Sequence, residues 1–460
     1  MTAVSFPTSL QSMGEYAFYG CRGLVAVGIT DLAAWCSIDF SGREANPLSQ
    51  SVDLYINEEL IRELAIPEGV TQIKPYAFTE GNFTSVTLPA GVKSIEDYAF
   101  YRAKMTEVNL PVGLESIGES AFSMCEALRR LTVPEGVKTI GESAFYAAGL
   151  QEIHLPSTLE SISGGAFSAG LTMDLYITDL SAWCGVSLAD RYSNPLWYGG
   201  NMYLNGVKVT QLVIPDGVEE IKPFTFYNGT YTAVTIPSSV KAIGDSAFAE
   251  SDVADLTLPE GLLVLGEAAF DGCQNLKELV LPETLTTISL AALRYTQIET
   301  IQIPASVTVV GDWSLSNNFY MDAVYFNGNA PSFGNQCFSG GEMTVYYPAG
   351  NSTWTEEVRQ NYGGNISWMA ACTAHSFENG VCTKCGEKDP DFNPGGLLGD
   401  ADGSGVVDYV DAMLVLQYHT GVITNEALAL GQCDVDGSGA VDYVDAMRIL
   451  QYHTGVISGF

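Results

Sequence analysis

The chain has 460 residues, with 54 aspartates and glutamates against 20 lysines and arginines, a formal charge of −34 and a pI near 4.2. So acidic a surface repels polyanions, which excludes nucleic acid as a partner, and no run of about 18 apolar residues exists to span a membrane. The length allows two or three units around a sizeable core.

The first residues, MTAVSFPTSLQ, have neither the basic start nor the apolar stretch of a secretory signal, so that signal is absent from this chain, either removed or left out. Ten cysteines over this length are not a disulfide-dense pattern. Cys21, Cys125 and Cys273 each lie three residues after the phenylalanine of an Ala-Phe pair, which reads as a buried position recurring by period and not as pairing. Cys36 and Cys184 each follow a tryptophan in one shared local motif.

Prolines at 67, 89, 111, 134 and 156 are spaced 22, 22, 23 and 22 residues apart, and prolines 215, 237, 259, 282 and 304 repeat the series. Around each lies one pattern, legible in VTLPAGVKSIEDYAF (86–100) and VNLPVGLESIGESAF (108–122). It predicts a leading strand, a proline turn where the ladder stops, a second apolar pair, and Ala-Phe. No such unit buries its apolar side alone, so neighbours must stack into a solenoid. The first unit begins at Val4, and the pattern there shows no leading strand, as expected if upstream sequence is missing or the repeat is a frayed cap.

A longer period is superimposed. Residues 31–167 realign with 179–315 at an offset of 148, with DLAAWC at 31 matching DLSAWC at 179 and Asn46-Pro-Leu matching Asn194-Pro-Leu. The duplication includes an insertion of roughly 38 residues ahead of Pro67 and Pro215, and the second copy drifts where Leu293 and Leu315 replace Phe145 and Phe167. The unit L-x-x-L-x-L-P-x-x-V-x-x-I-x-x-x-A-F resembles the BspA-like leucine-rich repeats of bacterial surface proteins, over residues 4 to about 350. The segment TVYYPAGNSTWTEEVRQNY (344–362) is similar to the cap that closes members of that family. The resemblance implies a β-rich, right-handed β/α superhelix that binds or adheres, and it names no ligand. Outward strand positions such as Ser85, Glu107, Arg130, Glu152, His154 and Asp255 form a polar, mostly acidic ribbon, either a solvated face or a ligand surface. Trp35, Trp183, Trp197, Tyr198 and Tyr203 in the insertions could stack on sugars or anchor proteins, or simply pack the core.

Between the repeats and the C-terminus, CTAHSFENGVCTKCG (372–386) offers Cys372, His375, Cys382 and Cys385, two residues separating each pair and six separating the pairs. Three sulfurs and an imidazole at that spacing fit a closed, structural zinc site; disulfides or free thiols are the alternatives. The stretch 388–396, KDPDFNPGG, reads as a short linker.

Two twelve-residue loops follow, 34 residues apart: DADGSGVVDYVD from Asp400 and DVDGSGAVDYVD from Asp434. Carboxylates stand at positions 1, 3, 9 and 12 (Asp400, Asp402, Asp408 and Asp411; Asp434, Asp436, Asp442 and Asp445), with Ser404 or Ser438 at position 5. The carbonyls of Val406 and Ala440 fall at position 7, and glycine at 6 allows the sharp turn. A hard dication needs such staggered oxygens, so each loop is a candidate calcium site, two ions in all. Each loop runs directly into a short helix, DAMLVLQYHTGVI or DAMRILQYHTGVI, with no helical pattern ahead of it. Loop plus exiting helix, duplicated, resembles the type I dockerin of cellulosome-type assemblies, over Gly399 to about Ile457, although Ser404 and Ser438 stand where that family usually has Asp or Asn. The resemblance implies an all-α module whose loop positions 10 and 11 and outward helix face meet the cohesin of a scaffoldin. On this chain those are Tyr409, Val410, Leu414, Gln417 and Tyr418, then Tyr443, Val444, Arg448, Gln451 and Tyr452. The two sets differ outwardly only at Leu414 and Arg448, so two orientations related by a half-turn are open.

No G-x-S-x-G elbow, phosphate loop or H-E-x-x-H helix occurs, and the four histidines form no catalytic set. The expected organisation is a solenoid at 1–370, a Cys/His knuckle at 371–387, the linker, and a dockerin at 397–460. The expected role is a secreted, non-catalytic binding protein, docked by calcium and cohesin, whose solenoid meets an unknown protein or glycan. An unrecognised carbohydrate- or peptide-cleaving activity and a purely structural spacer are the alternatives.

Overall fold

A computed structural model describes residues 2–371, 377–378, 381–382, 398–404, 406–424, 428 and 430–459. The chain divides into two compact units, Met1–Met369 and Ala370–Phe460. The first is a β-solenoid whose turns carry three parallel ladders, and each ladder follows from one element of the repeat.

The leading strands are three residues long in most turns, as at Glu63–Ala65, Ser85–Thr87 and Glu107–Asn109. Only the middle residue faces inward, so Leu64, Val86 and Val108 are buried in register while their flanks meet solvent. Past the proline turn comes a two-residue strand, and Gln72–Ile73, Ser94–Ile95, Ser116–Ile117, Thr139–Ile140, Ser161–Ile162 and Ser187–Leu188 form one six-stranded parallel sheet. The third ladder uses the Ala-Phe pair. Phe78, Phe100, Phe122 and Phe145 donate their backbone N–H to the alanine carbonyl one turn on, at 2.8–2.9 Å. Their rings stack through to Phe167 with centroids 5.4–5.7 Å apart, a continuous aromatic spine. The leading ladder is interrupted between Glu107–Asn109 and Arg130–Thr132, and after Asp255–Thr257, where the repeat lengthens to 23 residues.

The first unit corrects one expectation: Ala3–Ser5 is a leading strand, paired in parallel with Ala26–Ile29. The last turns are closed by the strands Glu342–Pro348 and Asn365–Ala371, with Trp354, Trp368 and Tyr362 packed around Phe333 and Phe338. Two of the cysteines at the recurring position are buried, and the thiols of Cys125 and Cys273 each donate to a carbonyl 3.1 Å away, of Phe100 and Phe248. Burial pushes both thiols up to about 12. Cys21, Cys36, Cys125, Cys184, Cys273 and Cys337 are in no disulfide.

The duplicated insertion builds the same device twice. Helix α1 (Leu32–Cys36) is capped by Asp31 and α2 (Leu180–Gly185) by Asp179. Trp35 and Trp183 are buried, their indole N–H groups donating to Ala77 and Thr225 carbonyls at 3.0 and 3.1 Å. Buried Asn194 accepts from Leu196 N–H (2.8 Å) and donates to the carbonyls of Phe224 (2.7 Å) and Thr225 (3.3 Å); Asn46 does the same in the first copy. Asn194→Ala leaves the buried Leu196 N–H without its acceptor, while the two carbonyls keep the Trp183 indole and the Tyr227 N–H, and the loss costs about 1–3 kcal/mol. An unfolding free energy from denaturant titration lower by that amount, and by a similar amount for Asn46→Ala, is the expected result.

In the C-terminal unit, α3 (Tyr409–His419) packs on α5 (Tyr443–His453), with short α4 (Leu430–Cys433) preceding the second loop. The buried core is small: Ala401, Val407, Ala412, Val415, Cys433, Val435, Ala446 and Ile449. No helix among the described residues is long and apolar enough to cross a membrane. Cys372, His375 and Cys385 of the zinc motif, the side chain of Cys382, and the 388–396 linker lie outside the described residues.

Candidate functional site

Each duplicated loop gathers its first, third and twelfth residues. One carboxylate oxygen apiece from Asp400, Asp402 and Asp411 lies within 4.8 Å of the others, and Asp434, Asp436 and Asp445 repeat the cluster. The twelfth residue anchors the loop. Asp411 is fully buried and accepts from the backbone N–H of Ala401 (2.8 Å), Asp402 (3.1 Å) and Asp408 (2.7 Å). Asp445 accepts from Val435, Asp436 and Asp442 at 2.9, 3.2 and 2.8 Å. The fifth residue closes the turn, Ser404 N–H donating to Asp400 and Asp402 and Ser438 N–H to Asp434 and Asp436, at 2.9–3.0 Å. Their hydroxyls donate to the carbonyls of Val406 (3.3 Å) and Ala440 (3.2 Å). Gly439 takes φ +85°, the left-handed turn that position six requires.

The ninth residues do something else. Asp408 and Asp442 sit at the helix N-caps, accepting from Val410 and Val444 N–H at 2.7 and 2.6 Å, so they start α3 and α5 and stand outside the three-carboxylate clusters. Hydrogen bonds from Ser404 hold Asp402 below the usual carboxylate range, whereas burial pushes Asp411 up. Three carboxylates, a hydroxyl and a main-chain carbonyl make an all-oxygen donor set, and its charge and hardness suit calcium.

The helices are related by exchange. The Tyr409 ring lies 6.2 Å from His453, and Tyr443 lies 6.1 Å from His419. Of the positions assigned to a partner, Tyr409, Tyr443 and Arg448 are exposed; Val410, Leu414, Gln417, Tyr418, Val444, Gln451 and Tyr452 are half-buried. Leu414 and Tyr452 lean on the small core. Val415 is buried and Leu416 exposed, and the face left open runs Tyr409, Met413, Leu416 on α3 and Tyr443, Met447, Leu450 on α5. Met413, Leu416, Met447 and Leu450 were missed as surface residues, though their i, i+4, i+7 spacing from each tyrosine carries the signal.

On the solenoid, the outward strand residues form the expected ribbon. Arg130 pairs with Glu152 at 2.7 Å, and His154, Tyr176 and Tyr203 stack across adjacent strands at 4.4 Å spacing. Trp35 and Trp183 serve the core, while Tyr198 is exposed.

A family model described as the BspA type leucine-rich repeat region matches residues 1–36, 53–173 and 199–322, and the type I dockerin domain matches 398–452. Both are non-catalytic binding modules. No curated protein matches the chain. Among solved structures, a leucine-rich cell surface protein from Faecalibacterium prausnitzii is 22% identical over 72% of this chain and 88% of its own, with a TM-score of 0.42. A leucine-rich repeat protein from Bacteroides ovatus is 19% identical over 80% and 92%, TM-score 0.42. The pneumococcal vaccine antigen PcpA is 18% identical over 66% and 88%, TM-score 0.41.

Proposed function

We infer the function of a chain that belongs to the BspA-type leucine-rich-repeat family and carries a type I dockerin domain. It is a non-catalytic modular binding protein of the extracellular or cell-surface kind typical of both families. The dockerin, residues 397–460, docks in a calcium-dependent way onto a cohesin module of a scaffoldin, and the solenoid, residues 1–370, presents a recognition surface to a protein or glycan.

The observation that carries this reading is the pair of carboxylate clusters, each feeding a capped helix, with the two helices packed on one another. Asp400, Asp402, Ser404, Val406 and Asp411 would hold one ion and Asp434, Asp436, Ser438, Ala440 and Asp445 the other. Asp408 and Asp442 would hold the helix ends, or an ion through water. Calcium supplies the positive charge that lets three carboxylates converge. The chain's own contribution is to fix the loop on Asp411 or Asp445 and so set the start of the helix that bears the partner surface. Tyr409 and Tyr443 begin the open apolar face, Val410 and Val444 lie beside them, and Gln417 and Tyr418 with their copies add polar groups.

Calorimetric titration of the whole chain against a panel of cohesins, first with calcium and then with EDTA, tests it. Tight binding to one cohesin that EDTA abolishes is the expected result. Bound calcium without capture by any cohesin would reduce the C-terminal unit to a structural staple.

A further inference from the structure

The solenoid turns put one residue in the left-handed region two places before the spine side chain and a second four places further on. Ser120, Ser143, Gly165, Ser246, Ala268 and Ala291 hold the first place with φ between +50 and +67°. Tyr16, Tyr76 and Tyr98 hold it too, at φ 56, 61 and 57°. Phe224 and Trp313 hold it at 62 and 58°, so the conformation belongs to the repeat and admits a bulky residue. Periodicity explains the backbone at these three places but not the choice of tyrosine.

The rings converge on one groove of about 390 Å³, lined by Tyr16, Tyr76, Tyr98 and Tyr101 together with Glu15 and Glu44. Tyr76 and Tyr98 stack with centroids 5.1 Å apart, and Tyr98 donates its hydroxyl to Glu119 at 2.6 Å, which fixes one wall. Tyr16 is 63% exposed and meets Tyr19 alone among the described rings, so it stands across the gap. Arg43 forms the end, its guanidinium 5.7 Å from the Tyr101 centroid. Its Nε donates to buried Glu80 at 2.8 Å, and Ser51 donates to the same carboxylate at 3.0 Å. The second copy of the block lacks the groove's chemistry: Gly165, Phe224, Ser246 and Ala249 stand at the tyrosine places, and Tyr192 stands at Glu44.

Charge selects the occupant. Arg43 pairs with Glu80 and lies 3.8 Å from Glu44, so with Glu15 the groove sets one cation against three carboxylates, with Asp97 and Glu119 behind. Burial and then the carboxylates of Asp97, Glu119 and Glu44 push the Tyr76 phenol up, as an anionic field does. Aromatic faces in an anionic field hold ammonium or guanidinium groups, and the ring of Tyr101 already does so for Arg43. We propose that this groove is a subsite for a basic side chain, lysine or arginine, displayed by a partner polypeptide. The proposal deepens the solenoid's role as a recognition surface and rests on that reading.

The test is calorimetric titration of the full chain, in calcium, with an octapeptide alternating lysine and serine, and separately with a neutral xylo-oligosaccharide. Tyr16→Ser and Tyr98→Ser each weaken the peptide at least ten-fold, and Glu44→Gln weakens it several-fold. Serine is the repeat's own residue at this place, so both tyrosine variants fold and keep the charge of −34. Trp313→Ser, at the same place in a distant turn with φ 58°, leaves affinity unchanged. Equal affinity in both tyrosine variants would mean that overall charge holds the peptide, and the proposal falls. Tyrosine-dependent capture of the sugar without the peptide overturns it in favour of a glycan subsite. A solenoid ligand indifferent to both tyrosines removes the groove and leaves the recognition surface standing.

Discussion

Replacing Asp400 and Asp434 together with alanine is expected to unfold the C-terminal unit and abolish capture by a cohesin. The reason lies in how little else holds that unit. Its buried core is three alanines, three valines, one cysteine and one isoleucine, with no buried leucine or aromatic ring among the described residues. So small a core does not stabilise a domain unaided, and a bound ion is the common remedy. The loops meanwhile hold three carboxylates with oxygens within 4.8 Å of one another. At that separation two like charges repel by between about 1 kcal/mol in water and about 3 kcal/mol at an effective dielectric near 20. A dication reverses the sign of that sum, so its binding energy becomes folding energy for the unit. Deleting one carboxylate from each loop relieves some repulsion but removes a candidate ligand and one of the two acceptors of Ser404 or Ser438 N–H. Loss of the helical circular dichroism of α3 and α5 on EDTA addition, matched by the double variant in calcium, is the measurement. A double variant that keeps both helix signal and cohesin capture would sink the cation account.

What the sequence made legible follows its periods. The proline series located the strands, and Ala-Phe located the spine, because a translational repeat places equivalent residues in one stack whatever the local detail. The carboxylate clusters were legible because loop ligands are consecutive in sequence, so spacing alone brings Asp400, Asp402 and Asp411 together. Rotation about a helix axis was not legible. In α3 apolar residues occur on every side, at Val410, Ala412, Met413, Leu414, Val415 and Leu416, and only packing against α5 decides that Val415 turns in and Leu416 out. The tyrosine groove was invisible for another reason. Hydrophobic period reports which residues are buried and says nothing of the sign of φ, and Tyr16, Tyr76 and Tyr98 are joined only once the insertion and two turns fold together. Asn46 and Asn194 were noticed as markers of duplication, but their role needed the Tyr76, Ala77, Phe224 and Thr225 carbonyls to be placed opposite them.

Phe145→Ala is expected to cost the solenoid about 3–5 kcal/mol, whereas Phe145→Leu should cost less than about 1.5 kcal/mol. Phe145 is 2% exposed and stacks between Phe122 and Phe167, at 5.7 and 5.4 Å, with the rings within 13° of parallel. Alanine leaves a void with a ring on either side, and the neighbouring turns cannot close on it without breaking the bonds that Phe122 and Phe145 N–H donate to Ala144 and Ala166. Because each turn of a solenoid touches only its neighbours, a void in one turn weakens two interfaces, and denaturant unfolding should lose cooperativity as well as midpoint. The leucine variant is the protein's own experiment. Leu293 occupies this position in the second copy, fully buried, below a run of stacked rings at Phe226, Phe248 and Phe270. Its presence there argues that filled volume, more than ring-on-ring attraction, is what the spine requires. Equal losses for the alanine and leucine variants would reverse that conclusion and assign the spine's stability to stacking.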